Sequence, residues 1–202
     1  MSNFDIKKVK ETFARVFVLA VQNKINFQAF TKLLERSVFV YKIEQDQYDD
    51  YFNKRIENIY FDITGVTIKK DTSFGVYNDA YWCGYSYFEL FIRTLKPFCL
   101  LFLKLPLSKM MEIYPIYHEM DISSLEEYFI RCDKEKTILR SLCIEKGCSL
   151  SKLSNDTNIN KATLAKYNAS DEAIYKGMFE NIFKLAKYFN SPIILFSRKV
   201  IY

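Results

Sequence analysis

The chain has 202 residues, of which 50% are hydrophobic and 26% charged, a composition that excludes a disordered segment and is typical of a folded protein. Aromatic residues make up 17%, while glycine and proline are few, which favours a helical protein with a bulky core. The net charge of +5 is uneven: residues 131–202 hold 13 basic and 7 acidic side chains, net +6, whereas residues 1–130 are net −1. The surplus positive charge therefore lies on the last third, where a phosphate-binding surface would need it.

Signals for secretion or membrane insertion are not found in the sequence. The most apolar stretch, PFCLLFLKLPL, is interrupted by Lys104 and Pro106 and falls short of the roughly 20 apolar residues that span a bilayer. Five scattered cysteines, an odd number, indicate reduced and buried thiols. We therefore expect a cytoplasmic protein without a membrane partner. The cysteines are Cys83, Cys99, Cys132, Cys143 and Cys148.

Apolar periodicity predicts three helices in the first third of the chain, over residues 4–24, 26–45 and 46–63. Asn26 is the expected N-cap of the second helix. Residues 65–79 contain two glycines and several β-branched residues, which predicts a loop or a small β-hairpin. The residues expected on the buried faces of the second and third helices are Phe27, Phe30, Leu33, Leu34, Tyr48, Tyr51, Phe52, Ile56, Ile59 and Tyr60.

The sequence of the middle segment predicts three more helices. Residues 79–96 form a strongly aromatic one, and a second, over residues 106–114, is expected to close near Pro115. Ser123 or Ser124 is the expected cap of the third. We place a boundary where the charge balance changes, with an aromatic-rich helical domain at 1–132 and a second domain at 133–202.

Four aromatic residues of the middle segment are candidates for binding a protein partner, because tyrosine and tryptophan are favoured at interface hot spots. They are Trp82, Tyr85, Tyr87 and Tyr117. An alternative interpretation places Trp82 and Tyr85 in a core-facing stripe with Phe88 and Phe91, and another makes the same rings a cofactor or nucleotide pocket.

The last third contains KTILRSLCIEKGCSLSKLSNDTNINKATLAKYNAS followed by FKLAKYFNSPIILF. A first helix is expected to end at Lys146–Gly147. A second begins at Ser149 and carries Leu153 and the small Ser154, and an Asn-Ile-Asn turn follows it. Thr163, Leu164 and Tyr167 come next. Residues 134–197 thereby resemble the Cro and phage-repressor type of helix-turn-helix domain, whereas residues 1–130 resemble no named family.

The resemblance implies an all-helical C-terminal domain of five helices, with the helix after the turn as the DNA-recognition helix. In this family the start of the second helix and the exposed side of the third contact bases and phosphates. The residues implied to contact DNA are Ser149, Ser151, Lys152, Asn160, Lys161, Ala162, Thr163 and Lys166.

Three features depart from the family pattern. Leu150 replaces a glutamine that is a common DNA contact, and Ser154 replaces an alanine. Residues 168–172 replace the usual Glu-x-Gly stop, which puts the acids Asp171 and Glu172 near the expected phosphate position. These departures weaken the expectation of DNA binding more than they weaken the expectation of the fold.

Enzyme and metal motifs are not found. His118 is the chain's one histidine, so multi-histidine sites are excluded, and we interpret His118–Glu119–Met120–Asp121 as a polar helix end. Cys143 and Cys148 lack the C-x-x-C spacing of a zinc knuckle. We therefore expect no metal, no cofactor and no catalysis, and an enzyme with a pocket at Trp82 and His118 is the least favoured alternative.

Two functions fit these features. The first is a DNA-binding transcriptional regulator of the antitoxin or mobile-element type, which binds promoter DNA through its C-terminal domain and a protein such as a toxin or nuclease through its N-terminal domain. The second is a phage-encoded inhibitor, similar to anti-CRISPR proteins, or an adaptor that uses the helix-turn-helix to bind protein. The sequence leaves open whether the chain forms a homodimer.

Overall fold

The structure, a computed structural model, describes residues 3–47, 51, 54–68 and 77–197. Within these ranges the protein is helical throughout and contains no strand, which confirms the mainly α fold class. In the described part no helix has the length and apolar character needed to cross a membrane. The first compact unit ends at Glu126 and the second begins at Glu127, where the sequence analysis places the boundary after Cys132.

Eight helices begin within the described part of the first unit, and the last of them continues past the division. They are α1 (Asn3–Gln22), α2 (Phe27–Leu34), α3 (Val38–Glu44), α4 (Ile56–Thr64), α5 (Asn78–Thr94), α6 (Phe98–Lys104), α7 (Leu107–Tyr117) and α8 (Ile122–Glu135).

The core of the first unit forms where α1 packs along α5. Gly84 permits this close approach, because a Cβ at that position would meet the Ala14 Cα at 2.7 Å and the Phe17 ring at 2.8 Å. Stacked aromatic rings extend the core toward α6: the Phe98 ring lies 4.6 Å from the Phe13 ring and 4.6 Å from the Phe91 ring. The high aromatic content of the sequence is thus used largely in the interior.

The predicted second helix is wrong in one respect, because residues 26–45 form two helices. Asn26 caps α2 as expected, accepting from the amides of Gln28 and Ala29 at 3.0 and 3.1 Å. The chain then breaks, and the Ser37 hydroxyl accepts from the Val40 amide at 3.1 Å to start α3. Leu33, expected to be buried, is 42% exposed, because the buried face of α2 runs through Phe30, Thr31 and Leu34.

Other predicted details also need correction. Pro115 lies inside α7, and the Tyr114 carbonyl before it still accepts from the His118 amide at 3.0 Å. The side chain at the start of α8 is Asp121, which accepts from the Ser123 amide at 2.8 Å, so neither Ser123 nor Ser124 is the cap.

Some sequence-based expectations fall partly outside the described residues. Tyr48, Phe52 and most of the loop or hairpin predicted for residues 65–79 are among them, and the described residues 65–68 form no strand. Gly65 ends α4 in the left-handed region with φ 70°.

The described part of the second unit contains five further helices, α9 (Ile138–Lys146), α10 (Leu150–Thr157), α11 (Lys161–Ala169), α12 (Asp171–Tyr175) and α13 (Phe179–Phe189), and a short 3-10 helix (Ile193–Phe196). Six core residues, drawn from all five helices, are at most 2% exposed. They are Leu139, Leu142, Leu153, Leu164, Ile174 and Leu185.

Cysteine burial differs from the expectation. Cys83 and Cys99 lie in the core of the first unit, as predicted, but Cys132, Cys143 and Cys148 are half-buried. These three lie at helix ends or on partly solvated helix faces, so the surrounding chain covers them only in part.

Glu44 gives the first unit a testable pH dependence. The residue is 7% exposed, and its carboxylate accepts from the Phe98 amide at 2.8 Å. Burial raises the pKa of Glu44 from about 4.5 to about 7, and the charge of Glu35 also raises it. The folded state therefore binds the proton more tightly than the unfolded state, so stability falls as pH rises from about 4.5 to about 7.

We expect Glu44→Gln, which can still accept from the Phe98 amide, to raise the free energy of unfolding at neutral pH by up to about 3 kcal/mol. The same substitution should flatten the pH dependence, as measured by urea unfolding between pH 4.5 and 7.5. Glu119→Gln is the control, since the Glu119 side chain is 83% exposed. Equal pH profiles for the wild type and Glu44→Gln would contradict this account.

Candidate nucleic-acid interface

The corner before α10 is set by glycine. Gly147 has φ 63°, a left-handed conformation that other residues adopt at a cost, and it ends α9 where the sequence predicts. Two backbone bonds close the corner, from the Gly147 amide to the Ile144 carbonyl at 3.2 Å and from the Cys148 amide to the Cys143 carbonyl at 3.0 Å. The Ser149 hydroxyl then accepts from the Lys152 amide at 3.2 Å and starts α10.

The turn between α10 and α11 is held from both sides. Asn158 adopts the left-handed conformation with φ 54°, and Ile159 turns into the core, where it is 2% exposed. Ser154 reaches across, its hydroxyl donating to the Ile159 carbonyl at 2.7 Å. With Leu153 and Leu164 both fully buried, the two helices are fixed to each other at the turn.

The Asn160 side chain starts α11 by accepting from the Ala162 amide at 2.8 Å. Because Leu164 and Tyr167 face the core, the opposite side of this helix is left to solvent. Lys161, Ala162 and Lys166 are exposed there, and Thr163 is half-buried.

All eight residues predicted to contact DNA lie on α10, on α11 or at their caps. Ser149, Ser151 and Lys152 are exposed at the start of α10, and Asn160 is exposed at the start of α11. Ser149 and Asn160 already use one side-chain oxygen each as a helix cap, so the groups that they can offer a ligand are the Ser149 hydroxyl proton and the Asn160 amide protons.

The lysines of this unit fall into two groups. Lys176 pairs with Glu172 at 3.0 Å and Lys184 with Glu180 at 2.6 Å. Lys146 lies over the Tyr188 ring, 3.7 Å from its centroid, and donates to the Tyr188 carbonyl.

Three lysines on α10 and α11, like the exposed Lys187 on α13, differ from these. In the part of the chain that the structure describes, no carboxylate pairs with Lys152, Lys161 or Lys166. We call these three the α10–α11 lysines. Their charges face solvent unneutralised and are therefore available to an anionic ligand.

Asp171 has an internal role that the sequence analysis missed. Its carboxylate accepts from the amide of Ile138, the first residue of α9, at 2.7 Å, and the Thr137 hydroxyl beside it donates to the Asn168 carbonyl at 3.1 Å. A carboxylate at a helix N-terminus is stabilised by the helix dipole. Asp171 therefore joins the end of α11 to the start of α9, a contact distant in sequence that no local motif indicates.

The prediction that Tyr87 binds a partner is wrong. Tyr87 is fully buried, and its hydroxyl donates to the Leu105 carbonyl at 2.5 Å, so its ring cannot contact a partner. The alternative stripe was also placed incorrectly in part. Phe88 and Phe91 face the core, but Trp82 and Tyr85 are half-buried, because the buried face of α5 runs through Cys83, Gly84 and Tyr87.

The other candidate partner-binding residues lie at partly exposed positions. Trp82 packs edge-to-face on Tyr114 at 5.5 Å, and Lys10 lies 4.1 Å from the centre of the Tyr85 ring. Tyr117, at the end of α7, is half-buried. Beside it in the sequence are Ile116 and Met120, which are 65% and 48% exposed and which the sequence analysis did not single out.

His118 is an exposed helix-end residue, in keeping with its interpretation as part of a polar helix end. Its ring stacks on Tyr114 at 4.5 Å, and Nδ1 donates to the Tyr114 carbonyl at 2.8 Å. Among the described residues no group of histidine, cysteine or acidic side chains is arranged to hold a metal ion.

A second exposed apolar cluster lies at the start of α13. Met178, Phe179 and Phe183 are 66%, 72% and 50% exposed, and the two phenylalanine rings stack at 6.3 Å. The signal was present in the sequence: Ile182, Leu185 and Phe189 define the buried face of this helix, and Phe179 and Phe183 lie off it.

We expect Asp171→Ala to lower the free energy of unfolding by about 1–3 kcal/mol, since it leaves the Ile138 amide without its acceptor. Glu172→Ala is the matched control and should cost less, about 0.5 kcal/mol, because the Lys176 side chain that it pairs with is 73% exposed. Urea unfolding measures both. Equal and small effects, combined with tighter DNA binding by Asp171→Ala, would instead place this carboxylate on the phosphate-binding surface.

Comparison with known proteins adds no family to this description. No protein-family model, no curated protein and no solved structure matches the chain. What the protein does must therefore be inferred from the residues and contacts of the two units themselves.

Proposed function

We propose that the protein is a DNA-binding transcriptional regulator that contacts duplex DNA through α10 and α11. The observation that carries the proposal is the set of α10–α11 lysines, three unneutralised cations on the exposed side of two helices joined by a tight turn. Phosphate contacts of this kind supply most of the sequence-independent affinity of DNA-binding proteins.

The geometry of the two helices supports α11 as the recognition helix. In a helix-turn-helix the second helix lies in the major groove with its N-terminal residues at the base edges, while the first crosses the backbone. Lys161, Ala162 and Thr163 occupy the first turn of α11, and Lys152 lies in the first turn of α10. The unpaired amides at the start of α11 add partial positive charge toward a phosphate.

Base reading by this surface would be modest. No arginine lies on α10 or α11, so the bidentate contact by which arginine reads guanine is not offered there. Thr163 and the Asn160 amide can hydrogen-bond base edges, and the Ala162 methyl group suits the methyl group of thymine. Leu150, where relatives of this fold commonly carry glutamine, is half-buried and contributes no polar contact.

The first unit supplies the protein-binding half of the proposal. We propose that it holds a protein partner, such as a toxin or nuclease, at the end of α7, where Trp82, Ile116, Tyr117 and Met120 offer aromatic and apolar surface. A DNA-binding unit joined to a partner-binding unit suits a cytoplasmic regulator of the antitoxin or mobile-element type.

A second candidate function is favoured by the exposed cluster at Met178, Phe179 and Phe183. An exposed apolar cluster of this kind can bind a protein, whereas it makes no favourable contact with DNA phosphates. In this alternative the protein is a phage-encoded inhibitor, similar to anti-CRISPR proteins, or an adaptor, and the second unit docks on protein instead of DNA.

The test is a gel-shift titration with the DNA upstream of the protein's own gene, repeated at several salt concentrations. We expect binding that weakens steeply with salt. Lys161→Glu combined with Lys166→Glu should lower the affinity by at least about tenfold and reduce the salt slope by about 2. Lys187→Glu is the control, an exposed lysine on α13 whose change should leave the slope within about 1 of the wild type.

Undiminished binding by the double variant would contradict the assignment of DNA contacts to α11. A wild-type protein that shifts no DNA, yet forms a stable complex with a purified nuclease or toxin encoded nearby, would support the inhibitor or adaptor instead.

A further inference from the structure

Two cysteines meet at the corner before α10. Cys143 lies in the last turn of α9, and Cys148 is the first residue after the left-handed Gly147. The backbone bonds that close this corner, from Gly147 to Ile144 and from Cys148 to Cys143, are those of a Schellman motif. In that motif the side chains at the positions of Cys143 and Cys148 lie against each other.

The two thiols lie close enough to interact, as is frequent in this motif. Both are half-buried, unlike Cys83 and Cys99, which are enclosed in the core of the first unit. A small reagent can therefore reach the pair, and closing an S–S bond does not require opening the core. The backbone bond at 3.0 Å already holds the two residues close together.

Burial, together with the charge and hydrogen bond of Cys148, raises the pKa of Cys143 to about 12. The thiolate and not the thiol is the nucleophile, so one thiol of the pair must lose its proton before the exchange begins. Because the two residues adjoin at the corner, the second thiol is then placed to resolve the bond that the first has formed.

We propose that Cys143 and Cys148 form a dithiol modification site, which small-molecule disulfides convert to an intramolecular disulfide. The thiolate of one cysteine attacks one sulfur of the reagent, forming a mixed disulfide and releasing one thiolate. That thiolate takes the proton from the other cysteine, which attacks the sulfur of the first and expels the second half of the reagent as a thiolate, and this second thiolate regains from solvent the proton that the first cysteine lost. The protein loses two hydrogens and two electrons, and the reagent becomes two thiols.

The site is connected to its surroundings through Tyr188. The Tyr188 hydroxyl lies close to the Cys148 thiol and donates to the Asp156 carboxylate of α10 at 3.1 Å. Forming the disulfide removes the thiol that this hydroxyl adjoins. The modification therefore alters a contact between α13 and the residue immediately before the cap of α10, and it stands whether or not the second unit binds DNA.

The experiment incubates the full chain under native conditions with glutathione disulfide, blocks remaining thiols with iodoacetamide, and measures intact and peptide masses. Before blocking, we expect a mass decrease of about 2 Da that dithiothreitol reverses; after blocking, the product should carry two fewer carbamidomethyl groups than the untreated protein and a cross-link between residues 143 and 148. Cys132→Ser is the matched control, because Cys132 is also half-buried, and it should give the same decrease.

Single variants show whether the two cysteines act as a pair. Cys143→Ser and Cys148→Ser should each stop at a stable glutathione adduct on the remaining cysteine of the pair, since the resolving thiol is gone. A wild-type protein that forms no cross-link, or that pairs either cysteine with Cys132, overturns the proposal.

Discussion

The arrangement of the second unit depends on the hydrogen bond from the Ser154 hydroxyl to the Ile159 carbonyl. This 2.7 Å contact holds the end of α10 against the turn, and the left-handed Asn158 beside it lets Ile159 enter the core. Because Leu164 of α11 is buried in the same core, the rotation of α11 about its own axis is fixed. Which residues of α11 reach solvent follows from that rotation.

Many polar groups near this surface already have partners inside the protein. Ser149 and Asn160 cap helices, Asp171 holds the start of α9, and Lys146 is engaged by Tyr188. Asp171, which the sequence places near the expected phosphate position, therefore binds the amide at the start of α9 instead. Among the described residues, Lys152, Lys161 and Lys166 remain without a carboxylate, as does Lys187 on α13, and the clustering of the first three on α10 and α11 is the basis of the proposed DNA contact.

Local signals in the sequence predicted part of the structure, because capping side chains act within a few residues. Asn26 was placed correctly as the cap of α2 on this basis, whereas the end of α9 at Gly147 and the start of α10 at Ser149 followed from the resemblance to a repressor-type domain. Contacts between distant segments were not predictable, as with Asp171 and the Ile138 amide. Apolar and aromatic residues occur on all sides of α5, so periodicity could not select its buried face. Tyr87 was therefore assigned to the exposed side of the helix, although it is buried.

The central claim is that α10 and α11 contact DNA, and an amide chemical-shift titration tests it most directly. The ¹⁵N-labelled protein would be titrated with a short duplex taken from upstream of its own gene. The account predicts that the largest shifts fall on residues 149–152 and 160–167, and that they diminish as salt is added. Shifts confined to residues 116–120 or 178–183, or none at all, would contradict it.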